Sequence, residues 1–322
     1  MNTITICYST HRLETLELTT RIMADHDVII LEEPSHPDFS KMLAREIDID
    51  EHLLELDLGY PQFTLAQYKL LQQFAQNGKQ ILQVEPYLEH LIRLQYFFAD
   101  GHSPAEVVPS TIEHAVYCAE REATGTLLDF YEKSRGKDFS RILSSMNAFA
   151  KTDGARFLLR DSLRAEKIMD IIVSGKVSGK NVYIEAGTIH LELCRLLIKK
   201  LRGTWNIKIH SVDQESIQLL HRRGNLYSPG DSLTVQYMWG RKMDQLKWEL
   251  LCAQSLIYSI ISEKEELHGA AGDFPHTLSD LNAIQSVKQL SLEDCKNLYR
   301  QIRDLPTSTA LTKVQTHLCQ NH

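Results

Sequence analysis

The chain has 322 residues, of which 43% are hydrophobic and 24% charged, and its formal net charge is −7. This composition is typical of a globular protein with one large domain or two modest ones. The acidic balance argues against a broad nucleic-acid-binding surface, and no apolar run reaches the ~18 residues that a membrane span requires.

The cysteines and the first residues bear on the compartment. Six cysteines are spread along the chain without a Cys-x-x-Cys pair, which argues against a zinc knuckle, a dithiol redox motif or a disulfide framework. Residues 1–6 lack the basic region and apolar core of a signal peptide. We therefore expect a protein of the reducing cytoplasm, with neither a membrane nor a nucleic acid as partner.

The first hundred residues alternate between strand-like and helix-like patterns. Short runs of β-branched and apolar residues predict strands at 3–8, 27–31 and 79–84. Helical patterns follow each strand, and two of them stop at Asn77-Gly78 and Asp100-Gly101. Strands that alternate with helices predict a parallel sheet.

Strand character then disappears and returns later. Residues 103–174 are predicted to be a helical insertion that begins at a capping box, Ser103-Pro104-Ala105-Glu106. Further strands are predicted at 181–185, 205–212 and 233–238. The chain is thus predicted to return to its sheet after the insertion.

We predict an α/β fold with a mostly parallel central sheet flanked by helices. Residues 1–102 would form an N-terminal βα half, 103–174 the insertion, and 175–322 a C-terminal half that completes the sheet and adds helices, all in one compact domain. A long amphipathic helix is predicted at 242–262, and its apolar run at 256–261 could support a homodimer.

Acidic residues stand at the predicted ends of three strands, at Glu32-Glu33, Glu85 and Glu185. The carboxyl ends of parallel strands meet at one edge of a sheet, so we expect these carboxylates to converge. Like charges at such short distances need a proton or a cation between them. The cation could be a divalent metal, an arginine or a histidine, although single acids could also cap helices or face solvent.

Two histidines follow strands in matching strand-turn-helix contexts. His11 ends the run Tyr8-Ser9-Thr10-His11, and His190 ends Gly187-Thr188-Ile189-His190. A neutral imidazole can accept a proton or bind a metal at working pH, although a surface or core role is open for each. Their shared context predicts that both belong to the polar site.

Arginines recur at every fourth position at Arg156, Arg160 and Arg164, which places them on one helical face. Arginine pairs with carboxylates or phosphates through two parallel hydrogen bonds, whereas a solvated helix face is the simpler interpretation. We expect Arg160 to reach the acids.

The sequence has no Walker A loop, Gly-x-Gly-x-x-Gly or Gly-x-Ser-x-Gly, which argues against a P-loop NTPase, a Rossmann dehydrogenase and a standard α/β-hydrolase.

These segments, within residues 3–200, resemble the TraB/Tiki group of the erythromycin-esterase/ChaN-like superfamily. Gly187-Thr188-Ile189-His190 matches the family's second Gly-x-x-His motif, and Glu32 or Glu33 fills its glutamate position. The helix motif is matched loosely by Arg160-Asp161-Ser162-Leu163-Arg164-Ala165, with Arg164 in place of methionine. The first motif is altered because Tyr8 replaces its glycine.

The resemblance implies a polar pocket bounded by histidine and glutamate. The superfamily includes metal-dependent proteases, macrolide esterases without a required metal, and haem-binding proteins, and fold alone does not choose among them. We expect a hydrolase of an ester, lactone or amide in a small molecule or peptide. Its predicted catalytic residues are His11, His190, Glu33, Glu32 and Arg160, and its predicted binding residues are Glu85, Glu185, Gly187, Tyr8 and Arg164.

Two routes to hydrolysis follow from these residues. A divalent metal held by His11, His190 and Glu33 could activate water, or a histidine or glutamate could do so as a general base without a cofactor. The alternatives are a non-catalytic protein that binds haem, a metal or an anion, with Tyr8 or Tyr183 beside a histidine as ligands, and an interaction module.

Overall fold

The computed structural model describes residues 2–54, 60–270 and 272–320. Contacts among Cα atoms divide the chain into two compact units. Unit 1 comprises Met1–His114, Leu159–Ser216 and Gly269–Phe274, and unit 2 comprises Ala115–Leu158, Ile217–His268 and Pro275–His322. These units follow contacts, whereas the predicted segments 1–102, 103–174 and 175–322 follow secondary structure, so the helical middle contributes to both units.

Unit 1 holds all strands of the described chain. They are β1 (Thr3–Ser9), β2 (Val28–Leu31), β3 (Gln80–Gln83), β4 (Val182–Gly187) and β5 (Asn206–Ser211). The helices of its first segment are α1 (Leu16–Ala24), α2 (Phe39–Leu43), α3 (Ile49–Leu53), α4 (Pro61–Gln76) and α5 (Pro86–Ala99). Next come α6 (Ile112–Ser134), α7 (Phe139–Val173), α8 (Leu191–Leu201) and α9 (Val212–Leu219), of which α6, α7 and α9 extend over both units.

The five strands form one parallel sheet in the order β3-β2-β4-β1-β5. The three central strands are buried along most of their length and are mostly apolar, as expected for a parallel sheet with covered faces. Apolar side chains from these strands, α7 and α8 form one core cluster, which includes Ile4, Ile30, Ala165, Ile184 and Leu197. The predicted α/β fold with a central parallel sheet flanked by helices is confirmed.

The strand order creates a crevice between β2 and β4. After β2 the chain moves outward to β3, and after β4 it moves in the opposite direction to β5. Helical connections that diverge from two neighbouring strands leave open the space above their carboxyl ends, which is where open α/β sheets bind ligands. Glu32 and Glu33 follow β2, and Glu185 and Gly187 end β4, so the topology brings the predicted acids to this crevice.

Unit 2 is helical in its described residues and completes the chain with α10 (Pro229–Met238), α11 (Gln245–Ile261), α12 (Pro275–Lys288), α13 (Leu292–Ile302) and α14 (Thr307–Gln320). Its apolar core includes Ile257, Val287 and Ile302. The predicted strand at 233–238 is wrong, because these residues lie in α10. Ser228 accepts a hydrogen bond from the Asp231 nitrogen in a capping box, and Pro229 occupies the first helical position, so a helix begins here.

The structure also bears on the predicted capping box, on the apolar run of the long helix and on membrane-spanning segments. The capping box at Ser103 is present, but it opens one 3₁₀ turn, Pro104–Glu106, and the long helices begin later. The apolar run proposed for dimer contacts is mostly part of the core of unit 2, where Leu256, Ile257 and Ile261 are buried. Across residues 2–54, 60–270 and 272–320, none of the helices combines the length and the hydrophobicity needed to cross a bilayer.

Candidate functional site

The carboxylates of Glu32 and Glu185 each accept a backbone hydrogen bond from the strand end on the opposite side of the crevice. The Glu32 backbone nitrogen donates to Glu185 Oε2 at 3.1 Å. The Gly187 backbone nitrogen donates to Glu32 Oε2 at 2.6 Å. Both carboxylates therefore lie at the carboxyl ends of neighbouring strands, as predicted from the sequence.

His190 lies between two carboxylates. Its Nε2 is 2.9 Å from Glu32 Oε1, and its Nδ1 contacts Asp161 Oδ1. Asp161 also accepts a hydrogen bond from the Leu193 backbone nitrogen at 2.9 Å and so fixes the first turn of α8. Burial alone would lower the pKa of His190, but Glu32 and Asp161 outweigh it and raise the pKa to about 9. His190 is therefore an imidazolium at neutral pH.

Arg164 joins the ends of three strands from its place on α7. Its Nη1 donates to Glu32 Oε2 at 3.1 Å, its Nη2 to the Glu185 main-chain oxygen at 2.7 Å, and its Nε to the Val84 main-chain oxygen at 2.9 Å. The residue is fully buried. Burial alone would raise the pKa of Glu32, but His190, Arg164 and Arg160 hold it well below its ordinary value. Glu32 is thus an ionised carboxylate in the protein interior.

Arg160 lies one helical turn before Arg164 and contacts two acids. Its Nη2 donates to Glu32 Oε1 at 3.0 Å, and its Nε is 3.2 Å from Glu85 Oε1 without the alignment of a hydrogen bond. Glu85 is fully buried, and its two oxygens have no hydrogen-bond partner within the described residues. Burial raises the pKa of Glu85 more than Arg160 and Arg164 lower it. The pKa of Glu85 is therefore raised above that of an acid in water.

His11 meets the second carboxylate of the crevice. Its Nε2 is buried, has no hydrogen bond within the described residues, and lies 3.7 Å from Glu185 Oε1. The Gln67 side chain donates to the same Glu185 oxygen at 2.7 Å and holds it in place. The Phe63 ring lies 5.7 Å from the imidazole, measured between centroids. His11 and Glu185 thus face each other at a separation that is just longer than a hydrogen bond.

The backbone at His11 has an unusual conformation for a non-glycine residue, with φ of 52°. Histidine tolerates this left-handed region better than most residues, although it carries a cost. The Ser9 side chain accepts from the His11 backbone nitrogen at 3.1 Å, and Asp213 accepts from the nitrogen and hydroxyl of Thr10 at 3.3 and 3.2 Å. These contacts hold the turn that presents the imidazole.

Glu33 is placed in a separate set of hydrogen bonds. Tyr68 and Gln83 both donate to its Oε2, at 3.1 and 2.9 Å. Burial, with a smaller contribution from the Glu185 charge, raises the pKa of Glu33 to about 7 despite these bonds. Glu33 can therefore gain or lose a proton near neutral pH, which suits a general acid or base.

Exposure separates the groups that solvent can reach from those it cannot. The His11 side chain is 27% exposed and that of Arg160 is 21% exposed. The side chains of Glu32, Glu185 and His190 are 7% exposed or less, and those of Glu85, Asp161 and Arg164 are fully buried. A substrate can thus reach His11 or Arg160 much more easily than His190, which was predicted to be catalytic.

The predicted metal ligands do not form a ready ligand set in this structure. His190 has a carboxylate at each ring nitrogen and carries both protons, so it offers no lone pair to a cation. His11 lies against Glu185, and Glu33 is held by Tyr68 and Gln83. Over the part of the chain that the structure describes, no three His, Cys, Asp or Glu side chains are grouped as metal ligands.

Two predicted binding residues have supporting positions. The Tyr8 hydroxyl donates to the His190 main-chain oxygen at 3.2 Å, and its ring lies in the apolar core. Gly187 brings its backbone nitrogen to Glu32, and a Cβ at this residue would lie 3.4 Å from His190 Cδ2. Tyr183, considered as a haem ligand, is fully buried.

Several polar partners of the site were not predicted from the sequence, and they include Asp161, Gln67, Tyr68, Gln83 and Asp213. Asp161 follows Arg160 in the helix motif that also contains Arg164, and this position does not indicate that its side chain contacts His190. Gln67, Tyr68 and Gln83 look like ordinary residues of an amphipathic helix and a strand. Gln67 and Tyr68 are buried, and a buried amide or hydroxyl needs a partner, but their burial is not evident from the sequence.

Comparison with known proteins gives little functional information. The chain is 26% identical over 301 residues to a protein of Archaeoglobus fulgidus described as uncharacterized, a match that covers 91% of this chain and 97% of that protein. No family model matches the sequence, and no solved structure matches it. The resemblance to the TraB/Tiki group therefore stays a prediction.

Proposed function

We propose that this protein is a TraB/EreA-like hydrolase that cleaves an ester, lactone or amide bond in a small molecule or peptide, with His11 as the general base. The observation that carries the proposal is His11 itself: a partly exposed imidazole lies beside the buried carboxylate of Glu185 in the crevice between β2 and β4. Imidazole with a carboxylate behind it is a recurring arrangement for activating water.

Glu185 would orient the imidazole. A proton kept on His11 Nε2 and directed at Glu185 Oε1 leaves the lone pair on Nδ1, where it can accept a proton from water. The two atoms are 3.7 Å apart, and such contacts often tighten when substrate binds. Glu185 cannot turn away, because Gln67 and the Glu32 backbone nitrogen each hold one of its oxygens.

The reaction then balances in two steps. His11 takes a proton from water as the water oxygen bonds to the carbonyl carbon, and the carbonyl oxygen becomes an oxyanion. When the bond to the leaving group breaks, the oxyanion re-forms the carbonyl and the leaving alcohol or amine takes a proton from His11 or from protonated Glu33. If Glu33 supplies the proton, the proton on His11 passes through solvent water to Glu33, which returns both groups to their starting states. The pKa of Glu33, raised to about 7 by burial and by Glu185, suits this exchange.

Arg160 would serve as a positioning residue. It binds Glu32 and lies against Glu85, so its contacts favour the orientation of acids over the stabilisation of an oxyanion. His190, Arg164 and Asp161 would hold Glu32 and α8 in place from inside the protein. In this scheme the base needs no metal, although superfamily members differ in this respect.

Turnover of a panel of nitrophenyl esters, lactones and peptide amides tests the proposal. His11→Asn keeps a residue that tolerates the left-handed backbone, and we expect it to lower kcat by about 100-fold or more. His102→Gln is the matched control, because His102 is an exposed histidine that pairs with Glu106 outside the site. The control should keep full activity.

Three results would contradict the proposal: no turnover across the panel, full activity of His11→Asn, or equal losses in both variants.

Metal analysis and chelation separate the two catalytic routes. The His11 route predicts activity that survives a chelator, whereas loss on chelation and recovery with a divalent cation would favour metal-assisted hydrolysis. Six free thiols fit the reducing cytoplasm in which we place the enzyme.

A further inference from the structure

Unit 2 contains a cavity of about 490 Å³ that is unrelated to the crevice residues. It is lined by the Arg135–Gly136–Lys137 turn that joins α6 and α7, by Phe139 and Ile142 of α7, by Tyr299 and Arg300 of α13, and by Arg303 and Asp304 just after α13. This volume lies within the range of pockets that bind small molecules.

Side chains on one wall of this cavity donate hydrogen bonds to main-chain oxygens of the opposite wall. Arg303 donates from Nη1 to the Gly136 oxygen at 2.6 Å and from Nη2 to the Arg135 oxygen at 3.0 Å. The Tyr299 hydroxyl donates to the Ser134 oxygen at 2.9 Å. The turn between α6 and α7 is thereby fixed to the end of α13, so the cavity is largely preformed.

The charge around the cavity is opposite to that of the whole chain. Four of its nine lining residues are cations, against one acid, in a chain with 42 acidic and 35 basic side chains. Arg303 is engaged with main-chain oxygens and lies 3.4 Å from Asp304. In the described residues no ion pair joins the other three cations to a carboxylate, and these are Arg135, Lys137 and Arg300.

Three of the lining residues are apolar or aromatic. Phe139, Ile142 and Tyr299 are buried and line the cavity together with the cations. Phe139 and Tyr299 lie 5.8 Å apart, measured between ring centroids. A cavity that combines unpaired arginine and lysine with aromatic and aliphatic side chains suits a ligand with a doubly charged anionic group and an apolar or planar part.

We propose that this cavity binds a phosphate-bearing small organic molecule. Its phosphate would contact Arg135, Lys137 and Arg300, and its apolar part would lie on Phe139 and Tyr299. Arginine is suited to phosphate because its planar guanidinium donates two parallel hydrogen bonds, and lysine adds a point charge.

Calorimetric titration of the intact chain tests this site, with adenosine 5′-monophosphate as the probe and inorganic phosphate and adenosine as its two parts. We expect the nucleotide to bind more tightly than either part. The double variant Lys137→Gln/Arg300→Gln should weaken nucleotide binding at least about tenfold, because it removes two cations that would contact the phosphate. Both positions are exposed, so we expect the variant to fold. Lys247→Gln/Lys313→Gln, a double change at exposed residues of unit 2 outside the cavity, should bind like the unmodified chain.

The proposal is overturned if the nucleotide gives no saturable binding, or if both double variants bind it as tightly as the unmodified chain. It is also overturned if inorganic phosphate or adenosine alone binds as tightly as the nucleotide, because one half of the cavity would then contribute nothing. None of these measurements depends on hydrolytic activity.

Discussion

The polar network of unit 1 has a closed end and an open end that differ in what they can do. The closed end comprises Glu32, Asp161, Arg164 and His190, whose charges are buried and paired. The open end comprises His11, Glu185 and Glu33, where one imidazole is partly exposed and one carboxyl titrates near neutral pH. The paired charges of the closed end join the strand ends, whereas the open end holds a partly exposed imidazole and a carboxyl whose pKa is raised to about 7, the two groups to which we assign the proposed chemistry.

The largest expected effect comes from the closed end. Arg164→Met removes the cation that joins β2, β3 and β4 and leaves Glu32 and Glu85 with less compensation in the interior. Removing one partner of a buried ion pair costs about 3–5 kcal/mol of unfolding free energy. Urea denaturation at pH 7 measures this loss.

Arg21→Met is the matched control for that experiment. Arg21 pairs with Glu215 at 2.6 Å, but its side chain is 59% exposed, so the expected loss is below about 1 kcal/mol. Similar losses in the two variants would contradict the expectation that the buried contacts of Arg164 stabilise the strand ends more than an exposed ion pair does. If Arg164→Met does not fold, Arg164→Lys should fold with an intermediate loss, because it keeps the charge without the three directed hydrogen bonds.

The next effect is the pH dependence that His190 gives to stability. Its pKa is raised from 6.5 to about 9 in the folded protein, so its stabilising charge is complete below about pH 6.5 and is lost as the pH rises through about 9. A shift of this size corresponds to about 3 kcal/mol, at roughly 1.4 kcal/mol per pH unit. Urea denaturation at pH 6 and pH 10 should show this loss in the unmodified chain and little of it in His190→Gln.

His102→Gln serves as the control for the pH experiment, because His102 is exposed and pairs with Glu106 at the surface. It should keep the full loss of stability between pH 6 and pH 10. A His190→Gln variant that loses stability in parallel with the unmodified chain would mean that other groups cause the pH dependence.

The two ends also differ in how far the sequence predicts them. Strand-end position was enough to bring Glu32, Glu85 and Glu185 to one edge, because a parallel sheet aligns its carboxyl ends. It was not enough to separate roles: His11 and His190 have similar local sequences, yet one is partly exposed and the other is clamped by two carboxylates. That difference depends on α7, whose Asp161 reaches His190 from a segment that has no strand pattern.

The error at 233–238 has a related cause. A run of apolar and β-branched residues predicted a strand, but Ser228 and Asp231 start a helix through reciprocal hydrogen bonds. Gly154 on α7 then lies against Thr234 and Tyr237. Local capping and packing outweighed strand propensity, which is weak for short runs.

At the open end, Glu33→Gln should remove one group that titrates near pH 7. Burial and the Glu185 charge raise the pKa of Glu33 to about 7, and glutamine cannot ionise. Infrared difference spectra between the unmodified chain and the variant, recorded from pH 5 to pH 9, should show one carboxyl ionising near pH 7. On a hydrolysed substrate we expect kcat to fall by about 100-fold.

Glu106→Gln is the control for the infrared experiment. Hydrogen bonds from His102 and Ser103 lower the pKa of Glu106 to about 2, so its difference spectrum should be flat between pH 5 and pH 9. A flat spectrum for Glu33→Gln as well would place the titrating group elsewhere and would remove Glu33 from the proposed proton exchange.

The smallest expected effect concerns the glycine of the Gly-x-x-His sequence. Gly187 has no left-handed backbone angle, and a Cβ there would meet His190 Cδ2 at 3.4 Å and Glu32 Oε2 at 3.7 Å, which are ordinary contacts. The backbone nitrogen that binds Glu32 is present in any non-proline residue. Gly187→Ala should therefore cost less than about 1 kcal/mol of unfolding free energy.

Gly154→Ala provides the contrast, because its Cβ would lie 3.1 Å from the Thr234 main-chain oxygen and 3.2 Å from Tyr237 Cβ. Overpacking against atoms that cannot move away costs about 1–3 kcal/mol. If Gly187→Ala instead abolishes turnover while the fold is kept, the glycine is needed for substrate to approach His190, and the catalytic group would belong to the closed end. Tyr8 stands where the other turn would carry its glycine, so the open end already functions without one if His11 is the base.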